Sequence, residues 1–249
     1  MSEAFRIQKG PEKTTAVFPG IDLVSKEPIG KNAESAIQEV RDARILKETI
    51  KGDGEGFGQF QALLFPREGK WPEPEEMPEV VKEVFNLALA NERQLNENVD
   101  ALACHISVRV QGDAKARDFR ENNDKALAEG IDPEQKLLHF DGHEKFGNVS
   151  GYIISFSGPT TTQYLGETEL TTATGPGSEL REELSKVSPA SLSAVSLLPR
   201  RLYHITNYTP HAEPITLDEQ VSDANPRLFI RLMFANLDPA FVTGKVYRA

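Results

Sequence analysis

Five histidines, at positions 105, 139, 143, 204 and 211, carry most of this chain's capacity for metal chemistry. Its one cysteine, Cys104, sits in an apolar run, so neither an internal disulfide nor a cysteine-based zinc site is available. His139-Phe140-Asp141 closes a strand-like segment. On a strand, residues two apart share a face, so this imidazole and this carboxylate can converge on one ion while Phe140 turns away. A third ligand must then come from a distant segment. His204, in the run Tyr203-His204-Ile205-Thr206, lies far enough downstream for several strands to intervene; His211, after Thr209-Pro210, competes for the same role. Two histidines and one carboxylate cover one face of an octahedral metal and leave three positions open for exogenous ligands.

Near the C-terminus, Arg227 and Arg231 fall on the same face of the strand-like run Arg227-Leu228-Phe229-Ile230-Arg231-Leu232-Met233-Phe234. A guanidinium on an inward strand face needs a counter-charge, because an unpaired buried cation is costly. Arginine also forks onto a carboxylate with two parallel hydrogen bonds, which lysine cannot do. Tyr152 and Tyr164, on other strand-like runs, are candidates to hydrogen-bond the same anion. The remaining histidines read more plainly. His143 follows Gly142 in a polar turn and belongs to the surface, and His105 reads as a core histidine. Arg109 could point inward near a substrate, with a solvated strand edge as its plainer reading.

The elements that must position these groups are legible as a change of texture along the chain. Asn32 caps an expected helix whose apolar residues Ala33, Ala36, Ile37, Val40, Ala43 and Leu46 recur at helical spacing. The glycine-rich stretch 52–58 lacks the Lys-Ser/Thr or the strand–helix frame of a phosphate loop, and its acidic residues would repel phosphate. It reads as a turn. Residues 71–78, rich in Pro and Glu, form a linker, and Val80, Val81, Val84, Leu87 and Ala88 mark a second amphipathic helix. From residue 101 short β-rich segments dominate: 104–110, 136–141, 151–157, 160–165, 192–198, 201–209 and 227–235, broken by Gly, Pro, Asn and Ser clusters. Only 118–129 interrupts them with helical character. The pattern predicts one mainly β domain over 1–249, with a core from 101 onward and helical or irregular support from 1–100.

In its order His-x-Asp, Gly- and Thr-rich strands, Tyr-His, then a strand opening with Arg, the region from about 101 to 236 resembles the 2-oxoglutarate/Fe(II)-dependent dioxygenases, in particular the small bacterial members that hydroxylate free amino acids. The resemblance implies a double-stranded β-helix (jelly-roll or cupin-like) core flanked by helices. It implies Fe(II) bound by His139, Asp141 and His204, and 2-oxoglutarate as cosubstrate. The family's arginine falls on Arg227; Arg231, on the same face, is an alternative clamp or a grip for a substrate carboxylate, and Tyr152 is a further candidate contact of the cosubstrate. Two departures stand out: the interval from His204 to Arg227 is longer than in many members, and Phe229 occupies the place of a small hydroxyl residue. A retained carboxylate at Asp141 implies hydroxylation or desaturation, with O2 and a small molecule as the reacting partners.

Charge narrows the alternatives. The 249 residues carry a formal net charge of −10, which repels nucleic acid and anionic membranes at long range. No apolar run approaches transmembrane length and the N-terminal residues lack a signal-type apolar stretch, so a cytoplasmic protein is expected. Three other readings remain open at this point. One is a cupin-like metalloenzyme that does not use 2-oxoglutarate, another a non-catalytic β-sandwich binding module, and the last an oxygenase acting on a protein side chain.

Overall fold

The computed structural model describes residues 6–9, 14–30, 32–43, 58–112, 128, 138–140, 149–156, 163–172, 184, 194–212, 225–238 and 245–249. The strands are β1 (Arg6–Lys9), β2 (Thr14–Phe18), β3 (Asp22–Leu23), β4 (Gly58–Phe65), β5 (Ala103–Gln111), β6 (Leu138–His139) and β7 (Ser150–Ser155). They continue with β8 (Gln163–Leu165), β9 (Thr168–Thr172), β10 (Ala194–Ser196), β11 (Tyr203–Thr206), β12 (His211–Ala212), β13 (Arg227–Ala235) and β14 (Lys245–Arg248). Two helices, α1 (Ala33–Asp42) and α2 (Glu79–Leu95), complete the described elements together with a short 3-10 turn, Val99–Ala101. The molecule is mainly β with flanking helices, as its sequence texture predicts.

Each helix forms where its apolar stripe and its cap agree. Asn32 Oδ1 accepts from the Ser35 amide at 2.9 Å, a cap that satisfies one of the orphan donors at the start of α1. In α2, Val80, Val81, Val84, Phe85, Ala88 and Leu89 are buried, and Pro78 precedes the first turn, where its missing N–H costs nothing. Fully burying such side chains contributes on the order of 1.5–3 kcal/mol each for the larger ones.

These stripes cover one face of a seven-stranded sheet of order β14-β4-β5-β13-β7-β11-β3. Alternation along the long strands sorts the residues cleanly. Cys104, Ile106, Val108 and Val110 of β5, and Leu228, Ile230, Leu232 and Phe234 of β13, join the helices in the main core. The opposite face carries Ile153, Tyr203 and Ile205, which pack with Tyr164 from a second sheet of order β10-β8-β12-β6. A third sheet, β1-β2-β9, covers the far side of that four-stranded sheet. Ala16 and Phe18 of β2 meet Phe140, Leu165 and Ala212 there. Gly20 permits this docking, since a Cβ at that position would lie 2.6 Å from the Glu167 amide nitrogen.

Along the chain, β5, β7, β11 and β13 fall in the larger sheet, while β6, β8, β10 and β12 fall in the smaller one. All pairings among these eight are antiparallel. The N-terminal part supplies more than support, because β4 pairs with β5 over seven residues and widens the larger sheet. None of the described helices is long and apolar enough to cross a membrane. The expected turn at 52–57 and the helical segment 118–129, apart from Ala128, lie outside the described residues.

Candidate metal centre

His139 ends β6, and its partner across the neighbouring strand is His211, which opens β12. Directly opposed residues of an antiparallel pair share a face, and the two rings lie with centroids 4.4 Å apart at 55°. Tyr164 of β8 opposes His211 from the other side, its ring stacked at 5.4 Å and 24°. Their chain neighbours Phe140, Leu165 and Ala212 turn outward into the cluster shared with Phe18. His139, His211 and Tyr164 therefore project from the four-stranded sheet towards the seven-stranded one, where Tyr164 meets Ile153, Tyr203 and Ile205.

The tautomer of a neutral His211 follows from its bonding. Nδ1 lies 3.0 Å from the Thr209 carbonyl, which only accepts, so Nδ1–H donates and the neutral ring keeps its lone pair on Nε2. Histidines that bind metals are commonly oriented in this way, by a carbonyl on the other ring nitrogen. His139 is exposed. Both rings thus suit a metal that prefers nitrogen and oxygen donors. Asp141 and His143 lie outside the described residues, and among the described residues no three His, Cys, Asp or Glu side chains form a metal-holding group.

Arg227 begins β13 and is only 5% exposed. Its guanidinium sits 5.2 Å from the centre of the Phe229 ring, and Phe229 packs into the same cluster as Tyr164. Burial pushes the Arg227 guanidinium below its ordinary value, and the nearby Tyr164 hydroxyl works in the other direction. Its Nε has no hydrogen-bond partner among the described residues. A buried guanidinium with an unused donor is a strong receptor for a carboxylate.

His204 and Tyr152 lie elsewhere. They oppose one another across β11 and β7, on the face of the larger sheet that packs against α2. Ser150 Oγ lies 2.8 Å from His204 Nε2 and donates to Glu92 Oε2, to which Tyr152 also donates at 2.8 Å. Asn91 Nδ2 donates to the Tyr152 hydroxyl at 2.9 Å. Burial pushes the His204 imidazole down, against the opposing pull of Glu92 and Asp22, and pushes the Tyr152 phenol up. The imidazole beside His139 is consequently that of His211, and the tyrosine beside the facing histidines is Tyr164. The cause is the two-residue period of a strand. Tyr203 points into the space between the sheets, so His204 must point away from it.

Arg231 lies on the same face as Arg227, four residues further along β13, and it is half-buried. With Arg109, Ser107 and His105 of β5 it lines a cavity of about 140 Å³. The cavity had only a faint signal in the sequence, whereas Tyr164 was already a candidate there beside Tyr152. Strand-borne Arg and His at alternate positions in 105–109 were the visible clue.

No family model matches the chain, and no curated protein matches it. Similar solved structures include EvdO2 from Micromonospora carbonacea var. aurantiaca, at 15% identity and a TM-score of 0.32, covering 59% of this chain and 59% of that one. The same protein complexed with 2-oxoglutarate gives 16% identity and a TM-score of 0.33 over 64% of this chain and 65% of that one. AviO1 from Streptomyces viridochromogenes Tue57 gives 15% and 0.38 over 91% and 93%. The match spans less than two thirds of either EvdO2 chain. Likenesses at this level assign no family, and the chemistry has to be read from the residues themselves.

Proposed function

We propose that the chain is a non-heme Fe(II)/2-oxoglutarate-dependent oxygenase acting on a small molecule, with His139, Asp141 and His211 as its metal ligands. The observation that carries this reading is the direct opposition of His139 and His211 on neighbouring strands, with Nδ1 of His211 held by the Thr209 carbonyl. Asp141 follows His139 at the spacing that returns an extended chain to the same face. The division of eight antiparallel strands into four on each of two facing sheets supports a double-stranded β-helix, in which strand ends from both sheets surround one interior.

Arg227 and Tyr164 are assigned to the distal carboxylate of 2-oxoglutarate. An Fe(II) held by His139, Asp141 and His211 would supply the oxidation, with 2-oxoglutarate giving succinate and CO2 as one atom of O2 enters succinate and the other a substrate C–H bond. The protein's own part is placement. Arg227 holds the cosubstrate by charge, Phe229 covers the guanidinium, and the walls of Ile153, Tyr203 and Ile205 exclude water. Ligation by His204, expected from the Tyr-His resemblance, passes to His211 in this reading. His204 has instead a hydrogen-bonded place beneath α2.

The test is an anaerobic titration of the purified protein with Fe(II) and 2-oxoglutarate, followed by the visible charge-transfer absorbance of the chelate. The expected outcome is saturable absorbance with succinate formed once O2 is admitted. Stoichiometric metal without succinate would point instead to a cupin-like enzyme that does not use 2-oxoglutarate. No metal at all would leave a binding module.

A further inference from the structure

The inner face of the seven-stranded sheet continues beyond Arg227 into ground that neither the metal ligands nor the cosubstrate clamp uses. Cross-strand register makes its composition regular. Arg231 of β13 opposes Ser107 of β5, which opposes Gln61 of β4. One step to one side, Phe229 opposes Arg109; one step to the other, Met233 opposes His105. These residues line the 140 Å³ cavity. Two guanidinium groups, a hydroxyl and an imidazole thus meet between two apolar walls.

We infer that this cavity is the subsite for an anionic group of the substrate, a carboxylate or a comparable oxyanion, held by Arg231 and Arg109 with Ser107 as a further hydrogen-bond donor. The inference deepens the oxygenase reading and rests on it for the word substrate. Three observations carry it. First, Ser107 is 5% exposed, lines the cavity, and its Oγ has no hydrogen-bond partner among the described residues. A buried hydroxyl left in that state costs about 1–3 kcal/mol, a cost that a bound acceptor removes. Second, the local field is positive. Burial and then the charges of Arg231 and Arg109 push His105 down to about 4, so that it stays neutral near pH 7 and adds no charge of its own. Each guanidinium offers five N–H donors, so it can hold an anion while keeping its other neighbours.

Third, size and position fit. A volume of 140 Å³ is well below that of a whole drug-sized pocket, and it suits a head group with a few attached atoms. Phe229 lies between this cavity and Arg227. Arg231 stands about 13 Å along the strand from Arg227, at about 3.3 Å per residue. Two anions can therefore lie end to end along β13, the cosubstrate on Arg227 and the substrate on Arg231, without sharing a guanidinium.

The experiment uses metal-free full-length protein with isotopically labelled histidine, and follows the His105 ring resonances by NMR. The probes are acetate, methylphosphonate and methanesulfonate, with acetamide as the neutral control. At least one anion is expected to shift the His105 signals saturably and to raise the pH at which they titrate, while acetamide does neither. Arg231→Gln and Arg109→Gln are each expected to weaken that response about tenfold or more, the value for losing one charge-assisted contact. Arg109 is exposed, so its variant tests the site even if Arg231→Gln fails to fold. No response to any anion overturns the inference. A response removed by Arg227→Gln but untouched by the Arg231 and Arg109 variants also overturns it, because the probes then sit in the cosubstrate clamp. Since no metal is present, failure here is separable from failure of Fe(II) and 2-oxoglutarate to bind.

Discussion

Two histidine–tyrosine pairs lie on opposite sides of the seven-stranded sheet, one packed beneath α2 and the other in the proposed metal site. His204 and Tyr152, ring centroids 5.1 Å apart, lie under α2 in a network closed by Glu92, Ser150 and Asn91. Glu92 is 2% exposed and Tyr152 fully buried. Buried polar groups of this kind are tolerated because every member is hydrogen-bonded, and they tie helix to sheet. His211 and Tyr164 lie between the sheets, with the exposed His139 as a second imidazole opposite and a buried arginine nearby. Residue type is the same in both places, and what differs is the surroundings: a closed polar network beneath a helix in one, a facing imidazole and a buried guanidinium in the other.

The sharpest way to break this contrast is to remove one imidazole at a time. His139→Ala and His211→Ala should each abolish the charge-transfer absorbance of the Fe(II)–2-oxoglutarate complex, whereas His204→Ala should retain it. The reverse pattern for 204 and 211 would exchange the roles of the two faces. A second measurement addresses stability. Glu92→Ala leaves the hydroxyls of Ser150 and Tyr152 without their acceptor, and should cost about 3 kcal/mol in urea unfolding, with Tyr152→Phe costing about 1 kcal/mol. Neither should change the affinity for 2-oxoglutarate when measured below the unfolding transition.

A smaller effect is expected at the clamp. Arg227→Lys keeps a charge but loses the fork, and should raise the dissociation constant for 2-oxoglutarate about 30-fold in calorimetry. Tyr164→Phe should weaken binding by less, about fivefold. An unchanged affinity in Arg227→Lys would move the clamp to Arg231. The smallest effect is on pH dependence. His105 and His204 both titrate lower in the folded protein than the ordinary 6.5 of an unfolded histidine. Below that value the unfolded chain takes up the protons first, so stability is full above about pH 6.5 and declines as pH falls towards 4 for His105. In His105→Gln, unfolding followed by denaturant between those values should show a shallower decline than in the wild type.

Much of the architecture was legible because its signals are local. The cap at Asn32, the apolar stripe from Val80 to Leu89 and the alternation in β13 depend on neighbours three or four residues away at most, and β13 spans the residues its pattern marks. β4 was missed: its Leu63-Leu64-Phe65 run follows a glycine-rich stretch and shows no clean alternation. β12 was missed because two residues cannot display a period. His204 was expected as the partner of His139 because the apolar Leu197-Leu198 leads into its strand as in the family it resembles, whereas the pairing of His139 with His211 is set by register.

What the amino-acid sequence determined by itself was the inventory: which residues can ligate, which can hold an anion, and which segments extend or coil. The spacing of His139 and Asp141 and of Arg227 and Arg231 follows from strand periodicity alone. Which histidine meets His139, and which tyrosine faces Arg227, was decided only in three dimensions. Strand register sets both, and a register is fixed by the sum of packing over a whole sheet. A shift of one residue in β11 or β12 would reverse the faces of all their side chains.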